Sequence, residues 1–352
     1  MIYKGPEVLT LDITYNCNFR CLHCFNNSGE QDLGLNELTD DEVINLCDDI
    51  IKLSPNTVCI CGGEPLLKRE LVLKVIKKIT KESNSNIKVN MVTNGYLVND
   101  SIVKELVNYG INAVQISLDG HCNSTHDWLR NKEGAFEKAL NAIKIFRENK
   151  VRVDVAFSPT KKNINYVKET MELCENLGVT CFRTQPLMGL GRAKINLREY
   201  MLDYFEYMKL NREVIDYSRK SDNNLMTEWG DPLEHLKSPI YTNMTYNKFV
   251  SINAYGYIVM SPYAPVYLGN IKKYSLKNYW DNGLEEIWSS QLLKDICKLY
   301  RSFDDMDISS VDNIFPSIHN EKGILIDIID DKEVFEYSLN DFKQIKKELI
   351  NI

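Results

Sequence analysis

This sequence predicts an α/β fold built on a curved parallel sheet, either open or closed into a partial barrel. Three observations carry that expectation. Six short Val/Ile-rich runs recur between residues 8 and 184, each bounded by turn residues, as parallel strands buried on both faces require. Helical patterns lie between successive runs, and six such units joined by right-handed crossovers build one parallel sheet. The chain has 352 residues, 26% charged and 44% hydrophobic. That is the balance of a globular protein with one large or two medium domains.

The expected strands are 8–13, 56–61, 87–92, 112–118, 151–157 and 179–184. Thr39 is placed to cap a helix over 40–53, with Asp40 and Asp41 at its positive end. A helix over 69–81 follows the second strand. Asn99 caps 100–109, which stops at Gly110. Helices over 134–149 and 163–177 come next, the latter stopping at Gly178. Beyond Gly191 the pattern changes. A long amphipathic helix is expected from Asn196 to about Arg219, then a polar break over 221–224. A β-like stretch from Phe249 to Met260 carries an Asn-Ala-Tyr-Gly turn. Helices over 276–280 and 284–300, a loop over 304–320, a strand over 323–329 and a helix over 339–350 complete the reading.

Net charge is −7 with no long Lys/Arg block, which argues against a nucleic-acid partner. No apolar stretch reaches about 18 residues, and the start lacks a signal-peptide core. No membrane partner is therefore expected. Ten Cys without a paired framework fit a reducing cytoplasm.

The chemistry is concentrated after the first strand. Cys17, Cys21 and Cys24 stand at CxxxCxxC spacing. Three thiolates in one short loop can hold three irons of a cubane and leave the fourth open to a small molecule. A zinc knuckle using His23 would instead want four ligands in paired arrangements. The spacing and its place resemble the radical S-adenosylmethionine (SAM) family. The resemblance implies one 4Fe-4S cluster, SAM chelated by the open iron, and a 5′-deoxyadenosyl radical that removes a substrate hydrogen.

Five further stretches extend that resemblance in order. Gly62-Gly63-Glu64-Pro65 follows the second strand, and its glycines let backbone approach a ligand closely. It resembles the family's GGEP motif, which implies that it binds the SAM ammonium group. Thr93-Asn94-Gly95 resembles a stretch lining the SAM site, although a plain Asn-Gly turn would look the same. Ser117 and Asp119 are alternate residues on one face, at places the family puts near the SAM ribose and carboxylate. Asp119 also suits a turn cap. His126-Asp127-Trp128-Leu129-Arg130 with Gly134-Ala135-Phe136 resembles the HDxxR…GxF stretch of peptide-modifying and sulfatase-maturing members. Arg130 would pair with the SAM carboxylate, or else form a surface pair with Asp127. Gly191-Arg192-Ala193 resembles a turn near the adenine, where Leu187 and Met188 can pack on the ring.

The C-terminal third resembles the start of a SPASM or twitch domain, but Ser261 stands where a cluster Cys is usual. After Cys181 only Cys297 remains, too few thiols for an auxiliary cluster. Cys47, Cys59, Cys122, Cys174, Cys181 and Cys297 read as small buried hydrophobes. Without an auxiliary cluster, hydrogen-returning chemistry such as epimerisation becomes easier. A thiol or phenol would supply the hydrogen, with Cys297 and Tyr263 the leading candidates and Cys122, Tyr255 and Tyr257 behind them. Glu228, Asp231 and Glu234 are substrate-facing acids or a helix-start cluster.

The resemblance thus implies a partial (β/α)6 barrel over 1–193 and a C-terminal α+β extension over 194–352, SPASM-like without cluster ligands. It implies modification of a ribosomally made peptide, by epimerisation, a cross-link or a related radical step. Because the strand pattern starts at Val8, the expectation includes a separate leader-peptide-binding protein or direct docking of the peptide. A flavodoxin or ferredoxin would supply the electron. The alternatives are a small-molecule substrate (sugar, amino acid or cofactor precursor), or a non-catalytic Fe-S or zinc protein of the same fold.

Overall fold

The computed structural model describes residues 4–30, 35–220, 225–300 and 324–341. In chain order, β1 (Val8–Asp12), α1 (Asp40–Leu53), β2 (Thr57–Cys61), α2 (Arg69–Glu82), β3 (Lys88–Thr93) and α3 (Asp100–Tyr109) come first. Next are β4 (Ala113–Ser117), α4 (Asn123–Arg130), α5 (Ala135–Glu148), β5 (Arg152–Phe157), α6 (Val167–Asn176) and β6 (Cys181–Thr184). They are followed by α7 (Arg192–Asn196), α8 (Tyr204–Lys220), β7 (Met226–Trp229), α9 (Glu234–Tyr241), β8 (Phe249–Ile252) and β9 (Tyr257–Ser261). The chain closes with β10 (Ala264–Asn270), α10 (Leu276–Tyr279), α11 (Gln291–Cys297) and β11 (Ile324–Leu325). The expected α/β class with a mostly parallel sheet is what the chain adopts.

The chain divides into two compact units. One comprises 12–32 and 57–232, the other 1–11, 33–56 and 233–352. In the first, β2 to β7 lie side by side in chain order, all parallel. Consecutive order with right-handed crossovers puts the intervening helices on one face. Burial agrees: Val58, Ile60, Val89, Met91, Val114 and Ile116 are wholly buried, while the alternate residues Cys59, Cys61, Asn90, Val92 and Gln115 are partly exposed. Among the described residues of this unit, the other face carries no helix and presents both polar and apolar side chains. It carries Arg183, which lies 3.4 Å from Asp154 and 3.0 Å from Glu228.

In the other unit β1 pairs in parallel with β8, β8 and β9 form a hairpin, and β10 lies between β9 and β11. Asn253 makes the hairpin turn, its Oδ1 accepting from the backbone N–H of Tyr255 and Tyr257. Ser261 Oγ lies 2.6 Å from His235 Nε2.

The helix signals worked where caps are local. Thr39 and Glu42 form a reciprocal capping box at α1, and Asn99 caps α3, which ends at Gly110 with φ +96°. The expected helix over 284–300 is broken. Ser290 is extended and its side chain accepts from the N–H of Leu293, so α11 starts afresh there. The long helix expected from Asn196 begins at Tyr204 instead. β7, β10, α4 and α9 were not anticipated. The polar break at 221–224, the loop over 304–320 and most of the final helix lie outside the described residues.

Candidate active site

The three loop cysteines come together. Cys17 and Cys24 pack against a small apolar cluster of Phe19, Cys21 and Ala135. Cys17 Sγ accepts from Phe19 N–H at 3.4 Å, and Cys24 Sγ lies 3.0 Å from Asn26 Oδ1. Burial pushes the Cys21 thiol up to about 12, with the nearby Arg130 charge pulling it down. Among the described residues no three His, Cys, Asp or Glu side chains are placed to hold one metal ion together. His23 is half-buried and neutral, its pKa lowered to about 3 by desolvation and by Arg130. Its Nδ1 and Asn18 Nδ2 are buried without a partner among the described residues, which leaves donors and acceptors for a bound group.

Two arginines hold this loop in shape. Arg20 donates to the carbonyls of Cys17 and Phe19 at 2.9 Å each, and also to that of Gly29. Arg192 reaches in from α7. Its Nε donates to Cys21 O at 2.9 Å, one terminal nitrogen to Glu30 at 2.7 Å and the other to Ser28 O at 3.2 Å. Its backbone N–H donates to Cys24 O at 2.9 Å. Gly191 makes that approach possible. It has φ +54°, and a Cβ there would sit 2.5 Å from both Cys24 O and Phe25 O. The Gly-Arg-Ala turn thus works as a clamp on the cysteine loop, a role the sequence reading missed. Arg192→Met is expected to lower iron retained per chain after desalting without unfolding the protein. Each buried acceptor left unpaired costs about 1–3 kcal/mol of loop ordering. Arg192→Lys should not rescue it, because an ammonium cannot span three acceptors in a fork. Full iron retention in Arg192→Met would refute the clamp.

The turn after β2 packs on the same loop. Gly63 N–H donates to Thr14 O at 2.7 Å and Glu64 N–H to Asn16 O at 2.9 Å. A Cβ at Gly62 would lie 2.3 Å from Thr14 O, and one at Gly63 2.2 Å from Asn16 O. What the glycines approach closely is therefore the cysteine-loop backbone. Glu64 is wholly buried and caps the single turn begun by Pro65 by accepting from Leu66 N–H at 3.1 Å. It also accepts from Thr93 Oγ1 and Asn94 N–H, at 2.9 Å each. Burial raises its carboxyl despite these three bonds, so a neighbouring ammonium would be favoured there. Asn94 Nδ2 donates to Asn18 Oδ1 at 2.8 Å, tying the end of β3 to the cysteine loop.

The stretch around Arg130 is a buried network. Asp127 accepts from Gly134 and Phe136 N–H at 2.8 and 2.7 Å, which fixes the start of α5. It is not the partner of Arg130. Arg130 Nε donates to Asp119 at 2.6 Å, with both side chains buried. The Arg130 guanidinium also lies against Cys21. Asp119 further accepts from Ser158 N–H at 2.9 Å, and its own N–H donates to His126 Nδ1 at 3.0 Å. Burial opposes its charge, yet the Arg130 charge and its hydrogen bond outweigh that and hold the carboxyl below the usual range. Ser117 ends β4 and is nearly buried. Leu187 lies in an apolar cluster with Leu129, Ala193 and Leu197, against which Leu22 packs.

Cys297 and Tyr263 belong to the other compact unit. Cys297 is fully buried and its thiol is pushed up to about 12 by burial, the state of a core residue. Tyr263 is partly exposed, its ring 5.8 Å from that of His235. Asp12, at the end of β1, has its carboxyl raised from 3.8 to about 6 by burial, with Tyr15 opposing. The folded state keeps this proton while the unfolded chain loses it, so stability falls as pH rises between 3.8 and about 6. Above that window the penalty is at most about 3 kcal/mol. Asp12→Asn should flatten this dependence and raise stability at pH 7 in urea titrations. An unchanged pH profile would place the raised carboxyl elsewhere.

Comparison with known proteins adds the following. The Radical SAM superfamily domain matches residues 11–174. The AdoMet-dependent heme synthase of Methanosarcina barkeri is 25% identical, over 79% of this chain and 83% of its own. The sporulation killing factor maturation protein SkfB of Bacillus subtilis is 28% identical, over 77% of this chain but 64% of its own. Among solved structures, Streptococcus suis SuiB bound to S-adenosylmethionine superposes with a TM-score of 0.69 at 16% identity, covering 86% of this chain and 76% of that one. SuiB bound to its precursor peptide SuiA gives 0.59 at 18% identity, covering 73% and 60%.

Proposed function

We propose that this chain is a radical SAM enzyme that modifies a ribosomally made peptide, a reading supported by the match of residues 11–174 to the Radical SAM superfamily. Its cofactors are a 4Fe-4S cluster and SAM. Cys17, Cys21 and Cys24 would hold the cluster. The turn of Gly62, Gly63, Glu64 and Pro65, with Thr93 and Asn94 behind it, would receive the SAM ammonium. Ser117 and Arg130 would face the ribose and carboxylate, with Asp119 holding Arg130 in place, and Leu187 would border the adenine. The radical formed from SAM supplies the difficult step. The chain's residues orient the substrate hydrogen and exclude water.

The observation that carries the enzyme reading is the convergence of the cysteine loop, the Glu64 turn and the Arg130–Asp119 pair within one compact unit. The peptide reading draws on the likeness to SkfB. Residues 194–352 would act as a SPASM-like extension without its own cluster, and a flavodoxin or ferredoxin would deliver the electron. The likeness to a heme synthase favours a second reading, a small-molecule substrate such as a porphyrin. The test is to offer the reduced, SAM-loaded enzyme a short peptide encoded beside it and, separately, an iron porphyrin. A mass change confined to the peptide supports the proposal. Conversion of the porphyrin with the peptide unchanged would replace it.

A further inference from the structure

Strand β2 presents two thiols on one face. Cys59 and Cys61 are alternate residues and point the same way, while Val58 and Ile60 face the helices and are wholly buried. Both cysteines are partly exposed, on the face of the sheet that carries no helices. Cys61 Sγ donates to Cys59 Sγ at 3.5 Å. Their hydrogen bond raises the Cys61 thiol well above its usual range and lowers that of Cys59, so of the two Cys59 gives up its proton the more readily. Arg183 and Asp12 are near enough to act on Cys59 through their charges.

The position of the pair matters. Cys61 immediately precedes Gly62, and its carbonyl accepts from Ile13 N–H at 3.0 Å. The next residue's N–H but one, that of Gly63, bonds Thr14 O of the strand end that leads to Cys17. The dithiol therefore sits directly beneath the turn and loop that form the candidate site, on the open face. Cys47, Cys174, Cys181 and Cys297 are buried.

We propose that Cys61, backed by Cys59, gives a hydrogen atom to a carbon radical held over the open face of the sheet. The proposal rests on the radical SAM reading above. The S–H bond of Cys61 breaks and a C–H bond forms at the radical carbon; the two bonds are close in strength, and reduction of the sulfur radical draws the step forward. The thiyl radical left on Cys61 is joined by the Cys59 thiolate as a three-electron disulfide radical anion. One electron from a one-electron donor of the flavodoxin or ferredoxin class, with one proton from water, restores the Cys61 thiol and the Cys59 thiolate. The substrate then exchanges one of its hydrogens for one from solvent, the outcome an epimerisation requires.

Because the substrate is unidentified, the probe is the 5′-deoxyadenosyl radical itself. The reconstituted full-length enzyme is mixed with SAM and dithionite in D2O without substrate, with dithionite as the one-electron donor. The fraction of 5′-deoxyadenosine carrying one deuterium is then measured. Wild type should label most of the product, as should Cys297→Ser. Cys61→Ser should lose most of the label, since an alcohol O–H is too strong to donate. Cys61→Ala, compared at equal iron content, guards against misfolding of the serine variant. A label that persists in both Cys61 variants, or its absence in wild type, overturns the proposal. Wild type that forms no 5′-deoxyadenosine would remove the radical reading itself, and the thiol assignment with it.

Discussion

Cys21→Ala is expected to lose both the cluster and SAM cleavage while keeping its fold. Cys21 is buried against Phe19 and Ala135, so an alanine methyl fits in its place with only a small cavity. The loss is therefore chemical. Two thiolates cannot hold a cubane that needs three protein ligands when its fourth iron is kept open. Folding is separable from chemistry here because Arg20 and Arg192 hold the loop through backbone carbonyls, which the substitution leaves untouched. Iron content and 5′-deoxyadenosine should fall together to background, while the circular dichroism spectrum stays that of wild type. Retained SAM cleavage in Cys21→Ala would move the cluster to other cysteines.

Asp119→Asn is expected to be the most destabilising polar change in the site. It leaves the Arg130 guanidinium buried against Cys21 with no carboxylate beside it. Breaking a buried pair by removing one partner costs about 3–5 kcal/mol. The acceptor for Ser158 N–H is retained only if the amide oxygen takes that side. Because the folded carboxyl lies below its unfolded value, its contribution is present above the unfolded pKa and is lost as pH falls through the folded one. Asp119→Asn should therefore show its deficit at neutral pH and converge with wild type in strong acid. Arg130→Met combined with Asp119→Asn should recover part of the loss, since no unpaired charge remains. A single-variant effect below about 1 kcal/mol would show the pair to be solvent-relaxed.

What could be read from the chain followed locality. Thr39, Asp40 and Asp41 announce α1 within three residues, and Asn99 with Gly110 brackets α3. The Val/Ile runs mark β2 to β5 because their helix-facing residues must be apolar. Cys17, Cys21, Cys24 and the turn at Gly62 were legible as spaced motifs. The clamp was not. Arg192 acts on residues 162 to 171 positions earlier, and nothing within its own turn signals that. The pairing of Arg130 with Asp119 rather than Asp127 was hidden for the same reason. Asp127, at helical spacing from Arg130, is occupied by the N–H groups of Gly134 and Phe136. Cys59 and Cys61 read as ordinary strand residues, since only tertiary structure shows which side of β2 is uncovered.

The most direct measurement is iron and sulfide content after anaerobic reconstitution, with a dithionite-driven assay for 5′-deoxyadenosine on the same sample. The account predicts about four irons per chain, as one cubane requires, with 5′-deoxyadenosine formed. About eight irons, bound zinc, or a cluster that yields no 5′-deoxyadenosine would contradict it.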